Sequence, residues 1–126
     1  MREILFRGKR TDNGEWLYGD LWQKPYSSKN CICIASTIED FGIRSGFIVI
    51  PETVGQYTGL KDKHGTKIFE GDILRADNGH IGCVAFGGLA QFGKYCKCHK
   101  EFESIYPDNE TVIGNIHDNP ELFREV

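Results

Sequence analysis

The chain has 126 residues and a mass of 14.3 kDa, enough for one domain or two very small ones. With 40% hydrophobic residues, 26% charged residues and a net charge of -3, it is an ordinary globular composition, which excludes a strongly basic nucleic-acid-binding domain. The strand-favouring types Val, Ile, Phe, Tyr, Trp and Thr supply 39 residues, whereas the helix-favouring Ala, Leu and Met supply 12. The composition therefore predicts a mainly β fold.

A β-hairpin is predicted at the start of the chain. Apolar and polar residues alternate from Ile4, and Asn13-Gly14 separates this run from a second one that contains Trp16 and Tyr18. Asn and Gly both tolerate the positive φ angles that a tight hairpin turn requires. The first residues contain no long apolar segment, so we expect neither a signal peptide nor a membrane helix.

Two more strands are predicted before the middle of the chain. They cover residues 31–35 and 47–50, and Pro51 ends the second strand because proline cannot donate to a strand ladder. Pro51 is therefore the expected boundary between an N-terminal subdomain over residues 1–52 and a C-terminal domain over residues 53–126.

The second half continues the alternation of strands and glycine-containing turns. Predicted strands cover residues 68–75, 81–86, 91–96 and 111–116. A bulge is expected at Gly93, because the apolar residues around it do not follow a clean period of two. A short C-terminal helix is expected to start at Asn119-Pro120, with Asn as the N-cap and Pro in the first turn. The sequence shows no evident internal repeat.

Three segments of the second half form a specific pattern. They are residues 54–65 (VGQYTGLKDKHG), residues 68–73 (IFEGDI) and residues 112–122 (VIGNIHDNPEL). In this order and at this spacing they resemble the YopX family, which is found in temperate bacteriophages and prophages. The biochemical function of that family is not established. The resemblance is strong over residues 54–122 and weak over residues 1–50.

The resemblance implies a particular architecture. It implies a C-terminal SH3-like small β-barrel packed with an N-terminal β-containing subdomain. The glycines of the three segments fit an architectural role: Gly59 and Gly65 would frame a turn with positive φ, and Gly71 would stand where a strand bends. Gly114 would mark a bend or a close approach of two backbones. We therefore interpret most of the motif residues as determinants of the fold.

One cluster of residue types could bind a metal. Its candidate ligands are Cys31, Cys33, Cys96, Cys98 and His99. Zinc requires four nitrogen or sulfur ligands in a tetrahedron, usually with two to four residues between paired cysteines. Here only one residue separates each pair, which in a strand puts the two thiols roughly 6.5 Å apart. The interpretation that Cys31 and Cys33 are small hydrophobic residues of a buried strand face is favoured over metal binding, with a redox role as a third alternative, and we expect no cofactor.

Catalytic signatures are sparse. The sequence contains no Walker A loop, no dinucleotide-binding glycine motif and no nucleophile elbow, and its four histidines are scattered. Glu70 and Asp72 would share a strand face and could serve acid–base chemistry or bind a cation, although such pairs more often flank a solvated turn. We therefore expect that the protein is not an enzyme.

A possible binding surface lies on the N-terminal hairpin. It combines basic and aromatic residues: Arg2, Arg7, Lys9, Arg10, Trp16, Tyr18 and Trp22. Aromatic stacking together with phosphate attraction is how single-stranded nucleic acids are held without sequence readout. However, an amphipathic hairpin also needs its aromatic residues for a core, and the acidic stretch after residue 100 opposes polyanions.

These observations favour a phage or prophage accessory protein in the bacterial cytoplasm. We expect it to act as a non-catalytic protein-interaction or self-assembly module, with a homo-oligomer as one form of assembly through unpaired strand edges. The partner is not identified by the sequence. The alternative is a weak nucleic-acid-binding protein that uses the basic and aromatic hairpin.

Overall fold

The computed structural model describes residues 4–23, 32–35, 46–87, 91–97 and 102–123. Their regular structure consists of β-strands in two antiparallel sheets, together with short 3₁₀ turns, which confirms the mainly β prediction. Two compact units divide the chain: unit 1 is Met1–Tyr57 and unit 2 is Thr58–Val126. No helix in the described part is both long enough and apolar enough to cross a membrane.

Unit 1 is built from five antiparallel strands. They are β1 (Phe6–Lys9), β2 (Trp16–Gln23), β3 (Ile32–Ala35), β4 (Gly46–Val49) and the beginning of β5 (Gly55–Lys61), in the spatial order β4-β3-β2-β1-β5. A 3₁₀ turn over Pro51–Thr53 joins β4 to β5. The prediction of a hairpin and two further strands in this region is confirmed within one or two residues.

A glycine allows two strands of unit 1 to approach each other. Val49 of β4 is almost fully buried and lies against Gly8 of β1, where an added Cβ would stand 3.0 Å from the Val49 side chain. The backbone N–H of Ile50 donates to the Lys9 carbonyl at 2.8 Å, which ties the end of β4 to the end of β1. Strands β1 and β4 of unit 1 therefore pack closely against each other at Val49.

Unit 2 contains the rest of β5 and six further strands. These are β6 (Lys67–Phe69), β7 (Asp72–Ala76), β8 (Ile81–Phe86), β9 (Phe92–Cys96), β10 (Phe102–Glu103) and β11 (Glu110–Asn115). Five of them form an antiparallel sheet in the order β10-β9-β8-β7-β11, and a 3₁₀ turn over Pro107–Asn109 precedes β11. Its apolar core contains Ile68, Leu74, Val84, Ile105 and Val112.

Two details of the strand prediction are wrong. The expected single strand over residues 68–75 is broken into β6 and β7 by a turn at Gly71, whose φ of 88° is unfavourable for other residues. The expected bulge at Gly93 is absent, because β8 and β9 pair in unbroken register. Gly93 instead leaves room for the Phe102 ring, which an added Cβ would meet at 2.5 Å. Strand β10, which carries Phe102, was not predicted.

The C-terminal helix is shorter than expected. Its described part is one 3₁₀ turn over Pro120–Leu122, and the Asn119 side chain makes no capping hydrogen bond to it. The Asn119 Oδ1 instead accepts from the backbone N–H of Asn115 at 3.3 Å. An added Cβ on Gly114 would stand 2.5 Å from that same oxygen, so the close contact at Gly114 is made by a side chain and not by a second backbone. Among the described residues, the strands form no closed barrel.

Candidate binding surface

The N-terminal hairpin brings four of the predicted binding residues onto one face. Arg7 pairs with Tyr18 across β1 and β2, and Lys9 pairs with Trp16, so all four side chains project from the same side of the two strands. We call these four residues the hairpin face. Arg2 lies outside the described residues, and so does the side chain of Trp22.

Cations and rings are already in contact on the hairpin face. The Arg7 guanidinium lies 4.7 Å from the centre of the Trp16 ring, and the Lys9 ammonium lies 5.6 Å from it. Both distances are within the range of cation–π attraction. Arg7 is only 5% exposed, whereas Tyr18 is 50% exposed. Tyr18 is therefore the ring that a ligand can reach first, and Arg7 acts mainly within the fold.

Arg10, another basic residue of the predicted binding surface, forms an ion pair with Asp12. Its guanidinium donates to both carboxylate oxygens of Asp12, at 2.9 and 2.6 Å. The hydrogen bond from Arg10 is the main reason that the pKa of Asp12 is lowered. Residues 4–23 carry three basic and three acidic side chains, so the hairpin has no net charge. Long-range attraction of a polyanion by this region is therefore weak.

The predicted metal ligands are only partly within the described residues. Cys31, Cys98 and His99 lie outside them, as does the side chain of Cys33, whereas Cys96 is a buried cysteine of β9 that forms no disulfide. No group of three or more His, Cys, Asp or Glu side chains in the described ranges converges on a point where an ion could bind. The zinc hypothesis therefore rests on the sequence pattern alone.

Asp62 shows what the motif carboxylates do. It lies in the turn between β5 and β6, and its Oδ1 accepts from the backbone N–H groups of His64 at 2.8 Å and Thr66 at 2.9 Å. Its Oδ2 accepts from the N–H of Val112 in β11 at 2.9 Å. Burial alone would raise the pKa of Asp62, but these three hydrogen bonds outweigh it and the pKa is lowered. Asp62 thus joins the hairpin turn to the last strand of unit 2.

The proposed carboxylate pair of Glu70 and Asp72 does not form as expected. Gly71 turns the chain between them, so the two residues do not alternate along one strand. Asp72 is 2% exposed, and its Oδ2 accepts from the Phe69 N–H at 2.7 Å. Desolvation, with a smaller contribution from the Asp72 charge, raises the pKa of the Cys83 thiol to about 11. A thiol with this pKa is not an activated nucleophile at neutral pH.

A buried ion pair lies inside unit 2, and sequence reasoning did not anticipate it. The Lys94 ammonium of β9 binds the Glu110 carboxylate at the start of β11, and both side chains are at least nine-tenths buried. The second Glu110 oxygen accepts from the Tyr106 N–H at 2.7 Å. The stem of Lys94 occupies the space above Gly82, so lysine fills a core position while its charge is neutralised.

The last motif segment is held by hydrogen bonds between its own residues. The Asn115 Oδ1 accepts from the N–H groups of His117 at 3.0 Å and Asp118 at 2.9 Å, and the Asn119 N–H donates to the Asn115 carbonyl at 2.8 Å. These bonds build the loop that follows β11. The side-chain oxygens of the motif are therefore bonded to the backbone of the fold itself.

The polar side chains of the three motif segments thus stabilise the turns and strand ends of unit 2. A family model described as YopX protein matches residues 5–124. The chain belongs to the YopX family. This membership confirms the resemblance inferred from the three sequence segments, and the match extends over the N-terminal hairpin, where the sequence pattern was weak.

Solved structures provide a second comparison for this YopX-family chain. It is similar to the crystal structure of protein EF1440 from Enterococcus faecalis, with 27% identity and a TM-score of 0.61. The match covers 98% of this chain and 100% of that chain, so it includes both units. No curated protein matches the sequence.

A second candidate surface lies on the outer side of β8, β9 and β10. The side-chain positions on this face are uncharged: Cys83, Ala85, Gly87, Gly93, Tyr95 and Phe102. The Phe102 ring lies over the two glycines and meets the Tyr95 ring at a centroid distance of 5.1 Å. Tyr95 is 45% exposed, so an aromatic edge faces solvent here. We call these six residues the aromatic face; sequence reasoning missed it because it did not predict β10.

Proposed function

We propose that this YopX-family protein is a phage or prophage accessory protein that works without catalysis, as a protein-interaction or self-assembly module in the bacterial cytoplasm. The observation that carries this proposal is the uncharged aromatic face with a half-exposed tyrosine. Aromatic residues on uncharged surfaces are the usual anchors of protein–protein interfaces. The odd number of cysteines favours a reducing compartment, in which thiols stay unpaired.

The chemistry of the motif carboxylates supports a non-catalytic role. Asp62 and Asp72 both accept hydrogen bonds from backbone N–H groups, and Glu110 neutralises Lys94. A general acid or base needs a proton that it can exchange with a substrate, whereas these groups hold strands and turns together. The most perturbed thiol, Cys83, has a pKa shifted away from reactivity.

We further propose that unit 2 is a small, partly open barrel of the SH3 type. Four consecutive antiparallel strands, a 3₁₀ turn and a last strand that returns to pair with the first support this proposal. Small barrels present exposed strand faces and loops that are suited to binding other molecules. This supports a binding role only by analogy, so the aromatic face carries the functional argument.

The experiment compares two exposed tyrosines. Self-association is measured by light scattering, and partner capture by pull-down from lysogenic cells, for the wild type, Tyr95→Ser and Tyr18→Ser. We expect Tyr95→Ser to weaken association about tenfold or more, the size of an interface hot spot, while Tyr18→Ser leaves it unchanged. A wild-type chain that remains monomeric and captures no protein would overturn the proposal, as would association that Tyr95→Ser does not weaken.

The hairpin face supports a second candidate function, weak binding of single-stranded nucleic acid. The strand register places two bases and two aromatic rings together, which is the composition that such binding uses. The same two variants test it with the roles reversed: mobility shift of a short oligonucleotide at low salt should be weakened by Tyr18→Ser and retained by Tyr95→Ser. An oligonucleotide that the wild type does not retard at low salt removes this candidate.

A further inference from the structure

We infer that the chain contains two tandem copies of one five-stranded unit. In the first copy, β1, β2, β3 and β4 pair consecutively, and β5 returns to pair with β1. In the second copy, β7, β8, β9 and β10 pair consecutively, and β11 returns to pair with β7. In both copies a 3₁₀ turn that begins with proline, Pro51–Thr53 or Pro107–Asn109, stands between the fourth and fifth strands.

The first hairpin of each copy has the same construction. The turn contains Asn13-Gly14 in one copy and Asn78-Gly79 in the other, with φ angles of 72° and 92° at the two glycines. In each case the Asn Oδ1 accepts from the backbone N–H two residues ahead, at 2.9 Å in the first turn and 3.0 Å in the second. The turn chemistry is therefore repeated.

The backbone bonds that close these hairpins align the two copies. Arg10 N–H donates to the Glu15 carbonyl at 2.9 Å, and Ala76 N–H donates to the His80 carbonyl at 2.8 Å. The first loop is one residue longer, so a fixed sequence offset does not superimpose the two hairpins. Aligning Arg10 with Ala76 sets the equivalence of every residue in the first strands.

The fifth strands agree with this alignment. It makes Arg7 equivalent to Ile73, and these residues pair with Gly55 and Gly114 respectively. One residue earlier, Phe6 pairs with Gln56, and Asp72 pairs with Asn115.

One further backbone bond extends the agreement. The Tyr57 N–H donates to the Leu5 carbonyl at 2.8 Å, and the Ile116 N–H donates to the Gly71 carbonyl at 2.8 Å. Leu5 and Gly71 are equivalent in the alignment set by the hairpins. The fifth strands, which lie more than 30 residues after the turns, thus keep the register that the turns define.

A similar sequence leads into the fifth strand of the first copy and forms the fifth strand of the second. Residues 52–56 read ETVGQ, and residues 110–115 read ETVIGN. The second pattern has one extra residue, Ile113, and this is where the pairing of β11 with β7 shifts register. A residue inserted into a strand forms a bulge and leaves the pairing on either side intact. Ile113 is therefore the insertion that separates the two copies.

Strand order alone would not establish a repeat, because the same small fold arises in unrelated proteins. Turn chemistry, pairing register and the position of the bulge are independent of strand order, and all three give one alignment. The loop and bulge insertions explain why the sequence itself shows no fixed period.

The two copies differ on the hairpin face. Arg7, Lys9, Trp16 and Tyr18 of the first copy are equivalent to Ile73, Arg75, Ile81 and Cys83 of the second. The cation and ring that contact each other in unit 1 are thus both aliphatic in unit 2. At these equivalent positions, a contact between a cation and a ring occurs in the first copy only.

Deletion of Ile113 tests the repeat directly. Because the first copy is complete without this residue, we expect the full chain lacking Ile113 to fold with one cooperative unfolding transition and a Tm within about 10 °C of the wild type. Deletion of Thr111 is the matched control, since it shifts the paired part of β11 and should abolish folding. A chain lacking Ile113 that unfolds as completely as the Thr111 deletion would overturn the inference.

Exchange of equivalent residues gives a second, independent measurement. Arg7→Ile places in the first copy the residue that the second copy has, so we expect a folded protein with an unchanged or higher Tm. Arg7→Asp is the control and should lower the Tm, because it buries a charge that the ring does not attract. If Arg7→Ile lowers the Tm as much as Arg7→Asp does, the two positions are not equivalent and the alignment is wrong.

Discussion

Unit 1 and unit 2 use the same strand order but place buried charge differently. In unit 1 the buried cation is Arg7, and it contacts the Trp16 ring. In unit 2 the equivalent residue is the fully buried Ile73, and the buried charges there include the Lys94–Glu110 pair. The same position of a small β unit can therefore hold either an aliphatic side chain or a cation that contacts an aromatic ring. The strand register fixes which backbone groups pair, but it does not fix the chemistry of the side chains.

The repeated ETV sequence shows the same difference in one residue type. Glu52 is exposed in the 3₁₀ turn before β5, whereas Glu110 is 1% exposed at the start of β11. Only Glu110 has a buried lysine opposite it. The burial of a glutamate thus depends on the partner that another strand supplies. Mutations in each unit can measure how far the two units differ.

The largest effect is expected at the buried ion pair of unit 2. Lys94→Met leaves Glu110 charged and buried, so it should lower the free energy of unfolding by about 3–5 kcal/mol, and Glu110→Leu should do the same to Lys94. The double variant Lys94→Met/Glu110→Leu should recover most of this loss, because no charge remains buried. Urea denaturation of all four proteins measures the coupling; additive losses in the double variant would contradict the role of the pair.

Asp62 should give the next largest effect. Asp62→Ala leaves the N–H groups of His64, Thr66 and Val112 without their acceptor, and we expect a loss of about 2–4 kcal/mol. Urea denaturation measures this loss as well. Asp12→Ala is the control, since Asp12 is an exposed carboxylate of unit 1 and its loss should change the urea midpoint far less than Asp62→Ala does.

The lowered pKa of Asp62 also predicts a pH dependence. Because its pKa is lower in the folded state than in the unfolded state, its ionised form stabilises the protein fully above the unfolded pKa of about 3.9. This stabilisation is lost as the pH falls through the lower folded pKa. The urea midpoint of the wild type should therefore fall more between pH 5 and pH 2 than that of Asp62→Asn; equal slopes would show that Asp62 is not responsible.

The sequence predicted what depends on local patterns. Asn13-Gly14 and Asn78-Gly79 determine their own turns, and Pro51 ends β4, so these features follow from neighbouring residues. The three motif segments were sufficient to identify the YopX family from the second half of the chain. The hairpin was also sufficient to place the bases of unit 1 beside its rings.

What the sequence did not predict depends on distant partners. The role of Gly93 is set by Phe102 of a strand that has only two residues, and a two-residue strand has no detectable alternation. Lys94 is an ordinary surface residue until the fold places Glu110 beside it. The repeat was hidden because the loop and bulge insertions change the spacing between equivalent residues.

Two glycines, one in each unit, offer a smaller test. Gly8→Ala in unit 1 brings a methyl group to 3.0 Å from Val49, a buried branched side chain, and should cost about 1–3 kcal/mol. Gly82→Ala in unit 2 meets the Lys94 stem at 2.9 Å, but that flexible chain can move aside, so the loss should be smaller. The double variant Gly8→Ala/Val49→Ala should recover part of the first loss, and a larger effect at Gly82 than at Gly8 would contradict this comparison.

The smallest effect concerns reactivity rather than stability. With the pKa of Cys83 raised to about 11, its thiolate fraction at pH 8 is about 100-fold below that of an ordinary cysteine, because two pKa units separate them. Alkylation of each cysteine, followed by mass spectrometry of the peptides, should show slow modification of Cys83 in the folded protein. The same peptide in denaturant is the internal control and should react at the ordinary rate. Equal rates in the two conditions would mean that the fold of unit 2 does not shield the Cys83 thiol. The contrast with Tyr18, the half-exposed residue at the equivalent position of the first copy, would then not hold.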